Sequence, residues 1–179
     1  MKSLLRFAHA VDWINERLAR IALWAVFLSC MVSAVNATVR YLISESSNAW
    51  LELQWYLFAV TVMLGAPFVL KVNEHVRVDV IYSRLAPRRQ ALIDLFGLVL
   101  FLMPAALLLA WLSWPYVLDS YLTHEMSSNS GGLLRWPFKV LIPIGFGMLS
   151  LQGIAEIIKR IAFLQGSYAM DTHYERPLQ

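Results

Sequence analysis

A single cysteine and few charges set the first limits on this chain. Cys30 stands alone among 179 residues, which excludes an internal disulfide and any dithiol redox chemistry. Charged residues make up 15% of the sequence and hydrophobic residues 59%, with mean hydropathy +0.57, a balance outside the soluble range. The sequence holds no phosphate-binding loop, nucleophile elbow or metalloprotease signature. His9, His75, His124 and His173 all fall outside the apolar runs, so no pair of them is placed to ligate haem within a bundle. His75 and Asp79 have helical i, i+4 spacing but no third ligand nearby, which argues against a metal site. No cofactor, metal or nucleic-acid partner is expected.

Four apolar runs are present, at about 18–39, 51–70, 91–114 and 137–158, each close to the ~20 residues a helix needs to cross a bilayer. They predict an all-α membrane protein of four spans. Too little chain remains for a separate soluble domain, so 1–179 reads as one unit. The first run could instead be a secretory signal, because "AVNA" ending at Ala37 offers small residues for cleavage. Its acidic leader and its length favour an uncleaved span.

Cytoplasmic loops collect Lys and Arg. Twelve of the 15 basic residues fall in the N-terminal segment, the loop between spans 2 and 3, and the tail. Both termini are therefore expected in the cytoplasm. Lys71, Arg88 and Arg89 act as topology anchors, and Lys159 and Arg160 belong to the tail at 162–179 or its approach. Before the first span, Leu4, Phe7, Val11, Ile14 and Leu18 recur at helical spacing, with Lys2 and Arg6 on another side. This predicts an amphipathic arm over 1–17 lying in the membrane surface.

The span centres hold no ionisable residue, although a transport pathway normally requires one at membrane depth. Arg40, Glu52, Asp94, Lys139 and Glu156 sit near span ends, where snorkelling lowers the cost. Milder polar residues lie deeper: Ser29, Ser33, Asn36, Thr61, Ser150 and Gln152. They are expected to join helices, and Gly145, Gly147 and Gly153 to let backbones approach. Pro67, Pro104 and Pro143 should each kink or interrupt a span.

Between spans 2 and 3 the stretch "LKVNEHVRVDVIYSRLAPRRQ" is the most polar in the chain. His75, Arg77 and Asp79 alternate with valines like a strand, but a loop between membrane helices offers no sheet to join. A short cytoplasmic helix capped by Asp79 and running to Leu85 is the expected form.

Two longer stretches then carry a resemblance. "WLELQWYLFAVTVMLGAPFVLKVNEHVRVDV", from Trp50 to Val80, places an acid at the start of span 2 and an H-x-R-x-D elbow after it. "SSNSGGLLRWPFKVLIPIGF" runs from Ser127 to Phe146. Their order and spacing resemble the small, DctQ-type membrane subunit of tripartite ATP-independent periplasmic (TRAP) transporters, over about Leu18 to Ile161. The resemblance implies a scaffold in the bacterial inner membrane. It would pack against a large multi-span subunit that moves an organic acid with sodium, the acid being delivered by a periplasmic binding protein. Arg40, Glu52, His75, Arg77, Asp79, Arg135, Trp136 and Lys139 become candidates for contact with that subunit, with an Arg40–Glu52 pair across the first loop as the simpler use of those two. An autonomous four-span enzyme or redox subunit, and a membrane assembly factor, are the alternatives that composition leaves open.

Overall fold

A computed structural model describes residues 1–45, 47–73, 82 and 85–169. Among these, four helices are long and apolar enough to cross a membrane: α1, Lys2–Ile43; α2, Asn48–Val72; α3, Pro87–Leu122; and α4, Trp136–Leu164. Each predicted span lies within one of them. The expected elbow helix and its His75, Arg77 and Asp79 fall outside the described residues.

The helix ends follow local chemistry. Ser44, in the left-handed conformation at φ 60°, closes α1. The Ser47 side chain accepts the Ala49 N–H at 3.3 Å to open α2, satisfying one of the donors that every helix N-terminus leaves free. Asn73, at φ 62°, ends α2 with its N–H on the Leu70 carbonyl, a left-handed cap that asparagine tolerates.

Two of the three span prolines mark visible irregularities. Pro104 withholds an N–H from the Leu100 carbonyl, and the turn just before it widens into a π segment, Leu98–Leu102. Pro143 likewise leaves the Lys139 carbonyl without its donor, and α4 breaks at Val140 between Trp136–Lys139 and Leu141–Leu164. Pro67 stays within a continuous α2. The carbonyl it deprives is that of Met63, and α4 approaches this atom at Gly145, where a Cβ would lie 2.9 Å from it.

α4 touches all three other helices, and α1 also packs along α2. The buried apolar residues are mostly alanines, among them Ala8, Ala19, Ala22, Ala25, Ala106, Ala155 and Ala162, while Trp24, Phe27, Phe101, Trp111 and many leucines face outward. That inversion suits a bilayer, where close backbone approach and lipid contact replace a water-driven core.

Two helices reach beyond their apolar runs. The segment read as an arm forms the first turns of a continuous 42-residue α1, about 63 Å long at 1.5 Å per residue. Its buried line is Ala8, Val11, Asp12, Asn15 and Ala19, whereas Leu4, Phe7 and Ile14 are exposed. The reason is α4, which presents Gln152 and Lys159 to Asp12 and Asn15 and Ala155 to Ala8 and Val11. Lys159 and Arg160, counted with the tail on sequence, do not lie in it. α4 continues through Leu164 and carries both into the packed interior, 6% and 2% exposed.

Candidate functional site: polar clusters at the two ends of the bundle

Gln152, Glu156, Lys159 and Arg160 recur at i, i+4, i+7 and i+8 along α4, a spacing that puts them on one side of the helix. At the end of the bundle carrying both termini, that side meets α1. The Asn15 amide donates to Gln152 Oε1 at 2.7 Å. The Gln152 amide donates to Asp12 Oδ1 at 2.9 Å and to Glu156 Oε1 at 3.0 Å. Lys159 bridges the same two acids, at 2.7 and 2.8 Å. Arg160 binds Glu156 and reaches α3, where Nε and a terminal nitrogen lie 3.3 and 3.2 Å from Asp94 Oδ2. Tyr82 also donates to that oxygen, at 3.0 Å.

Three carboxylates and two cations thus meet among α1, α3 and α4. His9 Nδ1, at the solvent edge, lies 3.8 Å from Asp12. A buried charge is tolerated only when paired and hydrogen-bonded, and each charge here has at least one partner from another helix or from its own next turn. A further pair, Lys71–Glu16, ties the end of α2 to α1.

At the opposite end, α3 and α4 are joined by a hairpin that an acid of α2 organises. Glu52, 3% exposed, accepts from the Ser127 hydroxyl, from Asn129 Nδ2 at 2.9 Å and from the Leu133 backbone N–H at 2.7 Å. Asn48 donates to the Ser130 carbonyl at 3.1 Å, and an isolated β-bridge pairs Met126 with Leu134. Gly132 has no room for a Cβ against Ser127.

Beside the hairpin, Glu125 pairs with Arg135 at 3.3 Å and with Lys139, whose ammonium lies 3.7 Å from the centre of the Tyr116 ring. The Lys139 bond holds the Glu125 carboxyl down at about 2. Trp136 meets Tyr121 edge to face at 5.2 Å, and Tyr56 stacks on Phe138 at 3.7 Å.

The candidate residues therefore divide. Arg135, Trp136 and Lys139 gather around Glu125 and Tyr121, while Glu52 grips the hairpin and makes no pair with Arg40, which is exposed. His75, Arg77 and Asp79 lie outside the described residues. Of the proposed packing residues, Gly145 and Gly153 are in close contact, the latter with Met103 and Leu102 of α3, but a Cβ on Gly147 would meet nothing within 4 Å. Gly147 is no contact point, because it lies on a side of α4 that no neighbour covers closely. Asn36 is buried and Ser33 half-buried. Ser150 bonds its own helix at the Phe146 carbonyl, whereas Ser29 and Thr61 cross between α1 and α2, to the carbonyls of Gln54 at 3.3 Å and Ala22 at 3.4 Å. Sequence reading missed the network around Asp12, Asn15 and Arg160. Its signal was the polar spacing on α4.

Both clusters satisfy their own charges and so serve to hold helices in place. Among the described residues no group of three metal-type side chains converges.

Comparison with known proteins agrees with this architecture. The family model for the DctQ component of tripartite ATP-independent periplasmic transporters matches residues 29–163. A Haemophilus influenzae protein bearing the name of a TRAP transporter small permease is 25% identical over 123 residues, covering 68% of this chain and 73% of that protein. No solved structure matches. The family match takes in the α4 half of the terminal cluster and stops short of Asp12 and Asn15.

Proposed function

The chain belongs to the DctQ-component family of tripartite ATP-independent periplasmic transporters, and we propose that it serves there as a scaffold for a large multi-span subunit that does the transporting. Its membership makes it a multi-pass membrane component of a transporter and not an enzyme. The scaffold reading rests on one observation: among the described residues, buried charge is confined to the two ends of the bundle and is paired or hydrogen-bonded within the chain. Such pairs offer no free ligand to a substrate or a coupling ion, since pathway residues in membrane proteins face a cavity or one another at membrane depth.

In this proposal the large subunit carries sodium and an organic acid, a periplasmic binding protein delivers the acid, and the chain sits in the bacterial inner membrane with both termini cytoplasmic. Arg40, exposed beyond the apolar part of α1, and Arg135 and Trp136 at the hairpin would touch the large subunit, as would the elbow residues His75, Arg77 and Asp79. Glu52 acts on that contact indirectly, by shaping the hairpin.

The test is reconstitution. Alone, the chain should give no sodium-driven uptake of an organic acid; with its large subunit and binding protein it should support uptake. Robust uptake by the isolated chain overturns the proposal. Orientation is checked in a Cys30→Ser background, where Ser128→Cys should react with an impermeant reagent from outside and Gln165→Cys only after permeabilisation.

A further inference from the structure

We infer that the chain binds an anionic phospholipid, with an acyl chain in the groove between α1 and α2 and the phosphate at a cationic lip on the side of the termini. The groove encloses about 460 Å³ and is lined by Ala19, Ala22 and Leu23 of α1 and Val62, Gly65 and Phe68 of α2. It exists because small residues meet at its floor: a Cβ on Gly65 would stand 3.8 Å from Ala22 Cβ. Leu23, 69% exposed, and the ring of Phe68 rise on either side. The polar group in the lining, Thr61, has its hydroxyl committed to the Leu57 and Ala22 carbonyls. The walls therefore present hydrocarbon alone, at a depth where α1 and α2 are membrane-spanning.

The lip differs in kind. Arg20 follows Ala19 directly, and Lys71 comes from α2, its ammonium 5.8 Å from the Phe68 ring centre. Glu16 is the acid there; it is bound to Lys71 and also feels the charge of Arg20. Arg20 makes no hydrogen bond or ion pair among the described residues. Two cations against one acid leave an excess of positive charge where an apolar groove meets the headgroup region. The complementary molecule has a long apolar chain and a negative head. Basic pockets between membrane helices recognise anionic lipid headgroups on this principle. A helix of a partner protein would fill the apolar part but would leave the lip unanswered.

The test uses the full-length chain in mild detergent, titrated with phosphatidylglycerol or phosphatidylcholine and read by native mass spectrometry and thermal unfolding. Wild type should retain phospholipid and bind phosphatidylglycerol more tightly. Arg20→Gln should lower that preference about fivefold, the effect of one basic residue near a charged surface. Gly65→Leu should fill the groove and remove binding of either lipid. Val62→Trp, at the groove's rim, does the same without touching the floor, should Gly65→Leu disturb helix contact. Lipid binding unchanged in both groove variants overturns the proposal. So does equal affinity for the two lipids in wild type. In the purified transporter, photo-crosslinking from position 62 to protein with none to lipid would assign the groove to a partner helix and also overturn it.

Discussion

The two ends of the bundle solve one problem in opposite ways. At the terminal end, Asp12, Asp94, Glu156, Lys159 and Arg160 come from three helices and neutralise one another inside the protein. At the hairpin end, Glu52 is buried among neutral donors, and the ion pairs of Glu125 stand partly in the open. The first arrangement fastens helices to each other. The second uses one acid of α2 to shape a loop that belongs to α3 and α4. Charge that spans helices should therefore control global stability, and charge that organises a loop should control local order.

The largest effect is expected from Lys159→Ala, which strands Asp12 and Glu156 without their shared cation. Removing one partner of a buried pair costs about 3–5 kcal/mol, so thermal unfolding in detergent should begin far lower, with faster hydrogen exchange over 8–19. A double replacement, Asp12→Asn with Lys159→Met, should recover part of the loss. If the single variant unfolds like wild type, the terminal end is no fastening.

Glu52→Ala leaves the part-buried Leu133 N–H and the Asn129 amide without their acceptor, and water can reach both, so the effect should be smaller than at Lys159. The loss should be local. Protease cleavage within 124–134 should accelerate while exchange at the terminal end stays as in wild type, and a uniform loss across the chain would erase the contrast between the ends.

Between the ends, Gly145→Leu and Gly153→Leu should each destabilise by about 1–3 kcal/mol through overpacking. Gly147→Leu should be tolerated, because a Cβ there meets no atom within 4 Å.

The smallest effect concerns pH. The Glu125 carboxyl is held near 2, below its ordinary 4.5, chiefly by the bond from Lys139. A lowered folded-state value means that its contribution is present above 4.5 and disappears as pH falls towards 2. Wild type and Glu125→Gln should differ in unfolding temperature at neutral pH and converge in acid.

How much of this was legible follows from what each pattern encodes. Hydropathy located all four helices, since length and apolarity suffice for a span. Gly145 and Gly153 stand close against neighbouring helices while Gly147 does not, so a glycine in a span says nothing about which side of the helix it occupies. In the arm the apolar line through Leu4, Phe7 and Ile14 is the conspicuous one, while the line that packs contains Asp12 and Asn15. Those two make sense only beside Gln152, Glu156 and Lys159, about 140 positions away. Glu52 was recognised as a candidate, yet its partners lie on a hairpin whose position only the tertiary fold supplies.

The π segment at Leu98–Leu102 has a consequence for the length of α3. A wide turn holds one residue more than an α-helix needs there, and each residue of an α-helix turns the chain by about 100°. Deleting one residue from this stretch would let α3 close into a regular α-helix with Pro87–Gly97 and Met103–Leu122 still in phase, because five residues of the wide turn rotate the chain about as far as four of an α-helix. Asp94 would keep Arg160, whereas the same deletion at Phe96 would turn Asp94 away by about 100°. The wide turn is thus one residue of slack, and α3 should tolerate there a deletion that it would not tolerate one turn earlier.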